Sequence, residues 1–421
     1  MTTTPPATTP PATTPPASTA ATRTAPAPGR PSFTLRQLTA AGGGPRYAVA
    51  LAVDALGTGL LRPFLLLYGM TVLGLSATTA GLAMTVGIVA GLAVLPALGR
   101  WLDRGARSAA VAASMLVRVA GVLVLLAAPP SAGAPLFTLS ALLLGVGNQS
   151  WPAAHAALVA TVSSGRLRDA ALAGARSVRN AGLGAGALLA AGAMAAGPAG
   201  LRVLAVASGA GYLVAAALAW SVRVADGRTV RQDPAAAGPP PRMGALLGAN
   251  VLYVFCLNVP EIAVPLVLVD QLHASPSWAA AVFVANTVLV VTLQVPVTTW
   301  SARWSRGTVL AVSGVVLAVG YLGFLFATGL GPAAVALVSV PFTLGEILYA
   351  GSSTALVTAL APPALLGRAL ARFQLSTGFG LAVSPAAITA LAAHGPATLW
   401  GTLAAGTAGA SAAVWRERDR A

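Results

Sequence analysis

Three carboxylates stand where charge is rare. Asp54, Glu261 and Glu346 each fall inside a long apolar stretch of a 421-residue chain that is 56% apolar and only 8% charged. A charge at the centre of a lipid bilayer costs roughly 2.5–3.5 kcal/mol on insertion scales, so each such group needs a partner or a task. One task is proton carriage, since a desolvated carboxyl group can alternate between its acid and its anion as its surroundings change. The other is structural: Asp54 and Arg62 are eight residues apart, near one face of a helix, and with Arg118 they could form a static polar network. Glu261 lies between Pro260 and Ile262, close to Asn258 and Pro265, where a broken helix frees backbone carbonyls and a coupling or binding site can form.

Neutral polar groups make a second set. Asn148-Gln149-Ser150-Trp151-Pro152 and His155 form a polar cluster in an otherwise apolar run, with Asn148, Gln149 and His155 as candidates to line a substrate cavity. Asn258, Asn286, Tyr349 and Gln374 join them as candidates. Amide and hydroxyl contacts between helices explain such residues as readily as a ligand does, and His155 reads first as a hydrogen-bonded packing residue.

The elements that must hold these residues are membrane helices. Crossing the hydrocarbon core takes roughly 20 mostly apolar residues, and twelve such stretches follow one another, centred near Leu60, Ala90, Val119, Ser150, Ala185, Ala210, Cys256, Val288, Leu317, Glu346, Ser384 and Ala405. An all-α membrane protein with twelve transmembrane helices in two six-helix bundles is the expected fold. The boundaries expected are a disordered Thr/Pro/Ala-rich cytoplasmic tail over 1–45, bundles over 46–222 and 244–416, a cytoplasmic linker over 223–243 and a short tail over 417–421. The first tail repeats Thr-Thr-Pro-Pro-Ala three times and has no apolar face to bury.

The formal charge of +15 comes entirely from arginine and reads as topology. All the arginines but Arg62, Arg118 and Arg202 fall, on this reading, at the termini or in alternate connections, including Arg176 and Arg179 after the fourth span. Positive charge concentrates in short cytoplasmic loops, so both termini are expected in the cytoplasm of a multi-pass cell (inner) membrane protein. A nucleic-acid surface would need one contiguous basic stripe with stacking aromatics, and the dispersal of these arginines argues against it. No phosphate-binding loop is present, and three scattered histidines with one cysteine make no metal cluster. The expectation is therefore no cofactor and no enzymatic activity, the proton gradient as energy source, a small-molecule substrate and the lipid bilayer as partners, and a monomer.

The two halves repeat. Arg100-Trp101 after the second span matches Arg303-Trp304 after the eighth; Pro63 matches Pro265; Leu144-Gly145 and Ala157-Leu158-Val159 match Leu344-Gly345 and Ala355-Leu356-Val357; Arg176, Gly182 and Gly184 match Arg372, Gly378 and Gly380. A parallel repeat of this kind predicts two bundles related by an axis along the membrane normal, rocking about a midplane site.

The segment Gly99-Arg100-Trp101-Leu102-Asp103-Arg104-Gly105-Ala106-Arg107 resembles the signature loop between helices 2 and 3 of the major facilitator superfamily, with its glycine one place early. That resemblance implies that Asp103, Arg104 and Arg107 act as a conformational latch against the start of helix 11. It also implies that helices 1, 4, 7 and 10, which carry the three membrane acids, line a central cavity. Leu56-Gly57 with Pro63, and Asn180, Gly182 and Gly186, are similar to parts of patterns found in twelve-helix drug:proton antiporters, although Leu66, Ala187, Ala190 and Ala191 replace later members of them. Asn180, Gly182, Gly186, Gly378 and Gly380 are then helix-packing residues. The function implied is proton-coupled efflux of small amphipathic molecules, with proton-coupled import of a sugar or organic acid as the alternative.

Overall fold

A computed structural model of the chain describes Thr2, residues 33–222 and residues 243–417. The Thr/Pro/Ala repeat, the central linker and residues 418–421 lie outside the described range. Among the described residues every regular element is a helix.

A leading helix, Leu35–Ala41, precedes the spans. It corrects the expected disorder over 1–45 for this part of the segment. Thr34 accepts from the Gln37 backbone N–H while the Gln37 side chain returns to Thr34, a reciprocal cap that a short helix needs to start. Its last residue, Ala41, packs with Val159 and Ala171.

Twelve spans then alternate in direction. Spans 1 to 6 are Pro45–Thr71, Ala77–Asp103, Arg107–Ala127, Gly133–Val162, Gly165–Ala193 and Gly197–Trp220. Span 7 runs over 244–271, and spans 8 to 12 are Pro276–Ser301, Arg306–Thr328, Pro332–Leu360, Leu366–Ala392 and Pro396–Glu417. Nine helices among the described residues are long and apolar enough to cross a membrane. Spans 4, 5 and 12 fall below that threshold because alanine, glycine and polar residues dilute them.

Spans 1 and 7 are broken at matching places. Span 1 narrows to a 3-10 turn at Arg62–Phe64, where Pro63 supplies no N–H to the helical ladder. Span 7 passes from α-helix (Gly244–Tyr253) to 3-10 (Val254–Asn258) and then to wide π turns (Val259–Ala263 and Leu266–Gln271) around Pro260 and Pro265.

The packing repeats as the sequence does. Span 1 packs on spans 5 and 6, span 4 on spans 2 and 3, and span 3 on span 6; adding six to each number gives the pairs that build the second half. The joins between halves obey the same rule, span 2 on span 11 and span 8 on span 5.

Close approach depends on missing side chains. Span 2 meets span 4 where Gly87 and Gly91 face Gly145, and a Cβ on Gly145 would run into the Gly87 backbone carbonyl. Lipid offers helices little hydrophobic reason to associate, so tight van der Waals contact must supply it. Gly145→Val should force the pair apart at a cost of at least about 1–3 kcal/mol, read as a lowered thermal midpoint in detergent. Gly81→Val, at a place with nothing within 4 Å of the added atom, should leave that midpoint unchanged.

Candidate functional site

The two halves use their buried charges differently. In the first half, Asp54 of span 1 is fully buried and faces two guanidiniums: Arg118 Nη2 of span 3 at 2.6 Å and Arg179 Nη1 of span 5 at 3.7 Å. The closer contact is a charge pair outside hydrogen-bond alignment. Arg118 also donates to Thr58 Oγ1 and to the Ser114 carbonyl, both at 3.3 Å, and its guanidinium lies 4.4 Å over the Tyr212 ring. Arg179 sits 4.3 Å over Trp151, whose ring stacks on His155 at 4.9 Å. His155 Nδ1 shares a 2.8 Å hydrogen bond with the Tyr47 hydroxyl. The charges in this network are offset by ion pairs and ring contacts, whereas the buried Trp151 Nε1–H has no hydrogen-bond partner among the described residues.

Two sequence readings need correction here. Asp54 pairs with Arg118 and Arg179, while Arg62 is exposed; the α-helix runs unbroken through Leu61 with the Arg62 N–H still on the Thr58 carbonyl, and the eight-residue separation sets Arg62 about 12 Å further along the axis. Arg176 and Arg179 are not in a connection. Span 5 runs unbroken over Gly165–Ala193, which carries both arginines several turns into the helix. Ser164-Gly165 punctuates the start of that helix, and no glycine–proline break follows, so the signal was present in the sequence.

In the second half, Glu346 of span 10 is 7% exposed, and its Oε2 accepts from Asn286 Nδ2 of span 8 at 2.9 Å. Asn286 also donates to Thr343 Oγ1 at 3.1 Å, which fixes the amide. Glu261, on the π-helical stretch of span 7, is exposed. Glu261 lies within electrostatic reach of Glu346 and of Arg62 from the first half, and Glu346 within reach of Arg176. No ion pair joins these four among the described residues. Span 5 presents Arg176, Asn180 and Gly184 on one face, and Gly184 lies against Thr287, the neighbour of Asn286. This seam between the halves, where the central cleft is expected, therefore brings cations of the first half within electrostatic reach of acids of the second.

The remaining candidates divide between cleft and packing. Gln374 Nε2 donates to Gln149 Oε1 at 3.2 Å, joining span 11 to span 4 across the halves. Asn148 is half-buried, and its Oδ1 has no hydrogen-bond partner. Tyr349 and Asn258 are committed within the second half: the Tyr349 hydroxyl donates to Asn250 Oδ1 at 2.8 Å, and Asn258 donates to Ser384 Oγ. Gly182 and Gly186 meet Ala55, Leu56 and Gly59 of span 1, Gly380 meets Val251 and Val254 of span 7, and Gly378 meets Leu92 and Gln149. Asn180 is half-buried. Gln294, fully buried and donating to the Ile347 carbonyl at 3.2 Å, was missed because an isolated amide in span 8 carries no pattern.

At the membrane face where spans 2 and 10 end, two acids bridge the halves. Asp103 Oδ1 accepts from the backbone N–H of Gly367 at 2.6 Å and of Arg368 at 3.3 Å, and its Oδ2 takes the Arg368 Nε–H at 2.7 Å. An anion at the start of span 11 also meets the positive end of that helix. Asp169 of span 5 binds Arg306 of span 9 through two contacts of 2.7 and 2.8 Å, and Arg168 donates to the Thr358 carbonyl at 3.3 Å. Arg107 donates to Thr161 inside the first half, and Arg104 is exposed. The turn takes its left-handed residue at Gly105, φ +94°, which only glycine adopts without strain.

The sequence pattern that defines the Major Facilitator Superfamily matches residues 47–259 and again residues 246–421. The chain belongs to the Major Facilitator Superfamily. It is thus a multi-pass membrane transporter of small molecules, and the superfamily's paired bundles support secondary transport by alternating access. Solved structures agree on the fold. A bacterial homologue of the iron transporter ferroportin, in an outward-facing state with soaked iron, superposes with TM-score 0.74 at 13% identity, covering 88% of this chain and 98% of that one. The human organic anion transporter MFSD10 (TETRAN) gives 0.68 at 13% identity, covering 91% and 100%. The proton:xylose symporter XylE gives 0.67 at 13% identity, covering 90% and 95%. No curated protein sequence matches the chain.

Proposed function

We propose that this superfamily member exchanges small amphipathic molecules for protons, exporting them across the cell membrane with both termini in the cytoplasm. The observation that carries the reading is Glu346: a nearly buried acid, held by Asn286, within electrostatic reach of Glu261 and of Arg176 from the other half. Asp54 is already matched by two arginines, which leaves the acids of the second half to exchange protons with the cleft. The small-residue contact of spans 1 and 5 supports export through its similarity to the antiporter patterns. Proton-coupled import of a sugar or organic acid is the alternative.

Purified protein in liposomes tests the reading. Addition of a transported compound from a panel of amphipathic molecules should move protons in the opposite direction, reported by an entrapped pH dye. In cells, collapse of the gradient with a protonophore should raise the compound's accumulation. A fall in accumulation supports import, and substrate movement with no proton movement removes coupling altogether.

Asp103 serves in this proposal as the latch that holds the cleft shut on the cytoplasmic side. Charge-assisted hydrogen bonds contribute about 1.5–3 kcal/mol each. Asp103→Asn should therefore shift the population toward the cytoplasm-open form by roughly tenfold or more, read as faster thiol labelling of Thr358→Cys, a buried position near the same face whose carbonyl accepts from Arg168 of the other half. Unchanged labelling would remove the latch role.

A further inference from the structure

Spans 9 and 12 leave a groove of about 690 Å³ between them. Val315, Val319 and Leu322 form one wall, and they are 53%, 61% and 42% exposed, so the groove opens outward to the lipid. The other wall is span 12, where Gly401, Ala405 and Ala408 end at or before Cβ and leave the space unfilled. Ser411 Oγ, donating to the Ala311 carbonyl at 2.6 Å, fixes the two helices together near one end.

That end has a different chemistry. Trp415 and Arg416 close the groove in the last turn of span 12, at the same membrane face as Asp103 and Arg368, and both are exposed. From residue 401 to residue 415 a helix rises about 21 Å, somewhat more than half of the roughly 30 Å hydrocarbon core. The groove therefore runs from mid-membrane through one leaflet to a cation at headgroup level, with an interfacial tryptophan beside it.

We propose that this groove is a binding site for an anionic glycerophospholipid, one acyl chain lying along Gly401, Ala405 and Ala408 and the phosphate meeting Arg416. A free apolar chain would have no use for the cation, and exposed Trp415 and Arg416 at the end of the groove suit the membrane interface, where a lipid headgroup lies, better than the buried face of a second protein helix. A single arginine near the surface is worth about fivefold in preference for an anionic lipid.

The full chain, purified in micelles containing equal amounts of phosphatidylglycerol and phosphatidylcholine with the same acyl chains, can be read by native mass spectrometry. The retained lipid should favour phosphatidylglycerol roughly fivefold. Arg416→Gln, an exposed substitution that leaves the fold intact, should bring the ratio to unity without reducing the total. Ala408→Leu should fill the groove and remove one retained lipid. A ratio of unity in the unmodified protein, a preference that survives Arg416→Gln, or a dimer mass that Ala408→Leu abolishes would each overturn the proposal, the last in favour of a second copy of the chain.

Discussion

Replacing Glu346 by Gln is expected to abolish transport driven by a pH gradient while the protein still reaches the membrane. Glutamine matches the shape of the acid, and its carbonyl can keep the 2.9 Å hydrogen bond from Asn286 Nδ2. What it lacks is the exchangeable proton. Groups positioned for proton transfer are worth roughly a hundredfold or more, so gradient-driven flux in liposomes should fall by at least that factor. Downhill exchange of substrate for substrate, which needs no net proton movement, should persist. Glu261→Gln should act in the same direction, and full gradient-driven activity in both variants would remove the coupling role from the cleft.

The second large effect falls on stability. Asp54 is the anion that buried Arg118 and partly buried Arg179 share, at 2.6 and 3.7 Å. Asp54→Asn leaves Arg118 and Arg179 facing each other in the membrane interior, and breaking a buried pair costs about 3–5 kcal/mol. The expected result is a large loss of monodisperse protein on size-exclusion chromatography, partly recovered by adding Arg118→Gln. A stable Asp54→Asn protein that has lost only proton coupling would transfer the coupling role from Glu346 to Asp54.

The twelve spans and their division into related halves were readable because hydropathy and repetition are properties of long segments. Pro63, Pro260 and Pro265 also announced their helix breaks, since a missing N–H acts locally. The partnership of charges was harder to read. Asp54 and Arg62 share a face of one continuous helix, yet about 12 Å of axial rise separates them, and Asp54 is met instead by Arg118 and Arg179 from other spans. Arg176 and Arg179 look like loop charges when arginine placement is taken as topology, yet both lie within the unbroken helix of span 5, where Arg179 meets Asp54 of span 1 and Arg176 lies within electrostatic reach of Glu346. The bond from Asp169 to Arg306 lies beyond sequence reasoning for the same reason: 137 residues separate its ends.

The two interlocks at the membrane face share a polarity that bears on how the halves recognise each other. Asp103 and Asp169 come from the first half, and Arg368 and Arg306 from the second. In the cleft the signs reverse, with Arg62 and Arg176 from the first half opposite Glu261 and Glu346 from the second. Two copies of the first half placed together would set acid against acid at the face and arginine against arginine in the cleft, and two copies of the second would do the converse. If the bundles were synthesised as separate chains, each would reject its own kind and accept the other. The halves of this duplicated protein have become complementary, and neither can stand in for its twin.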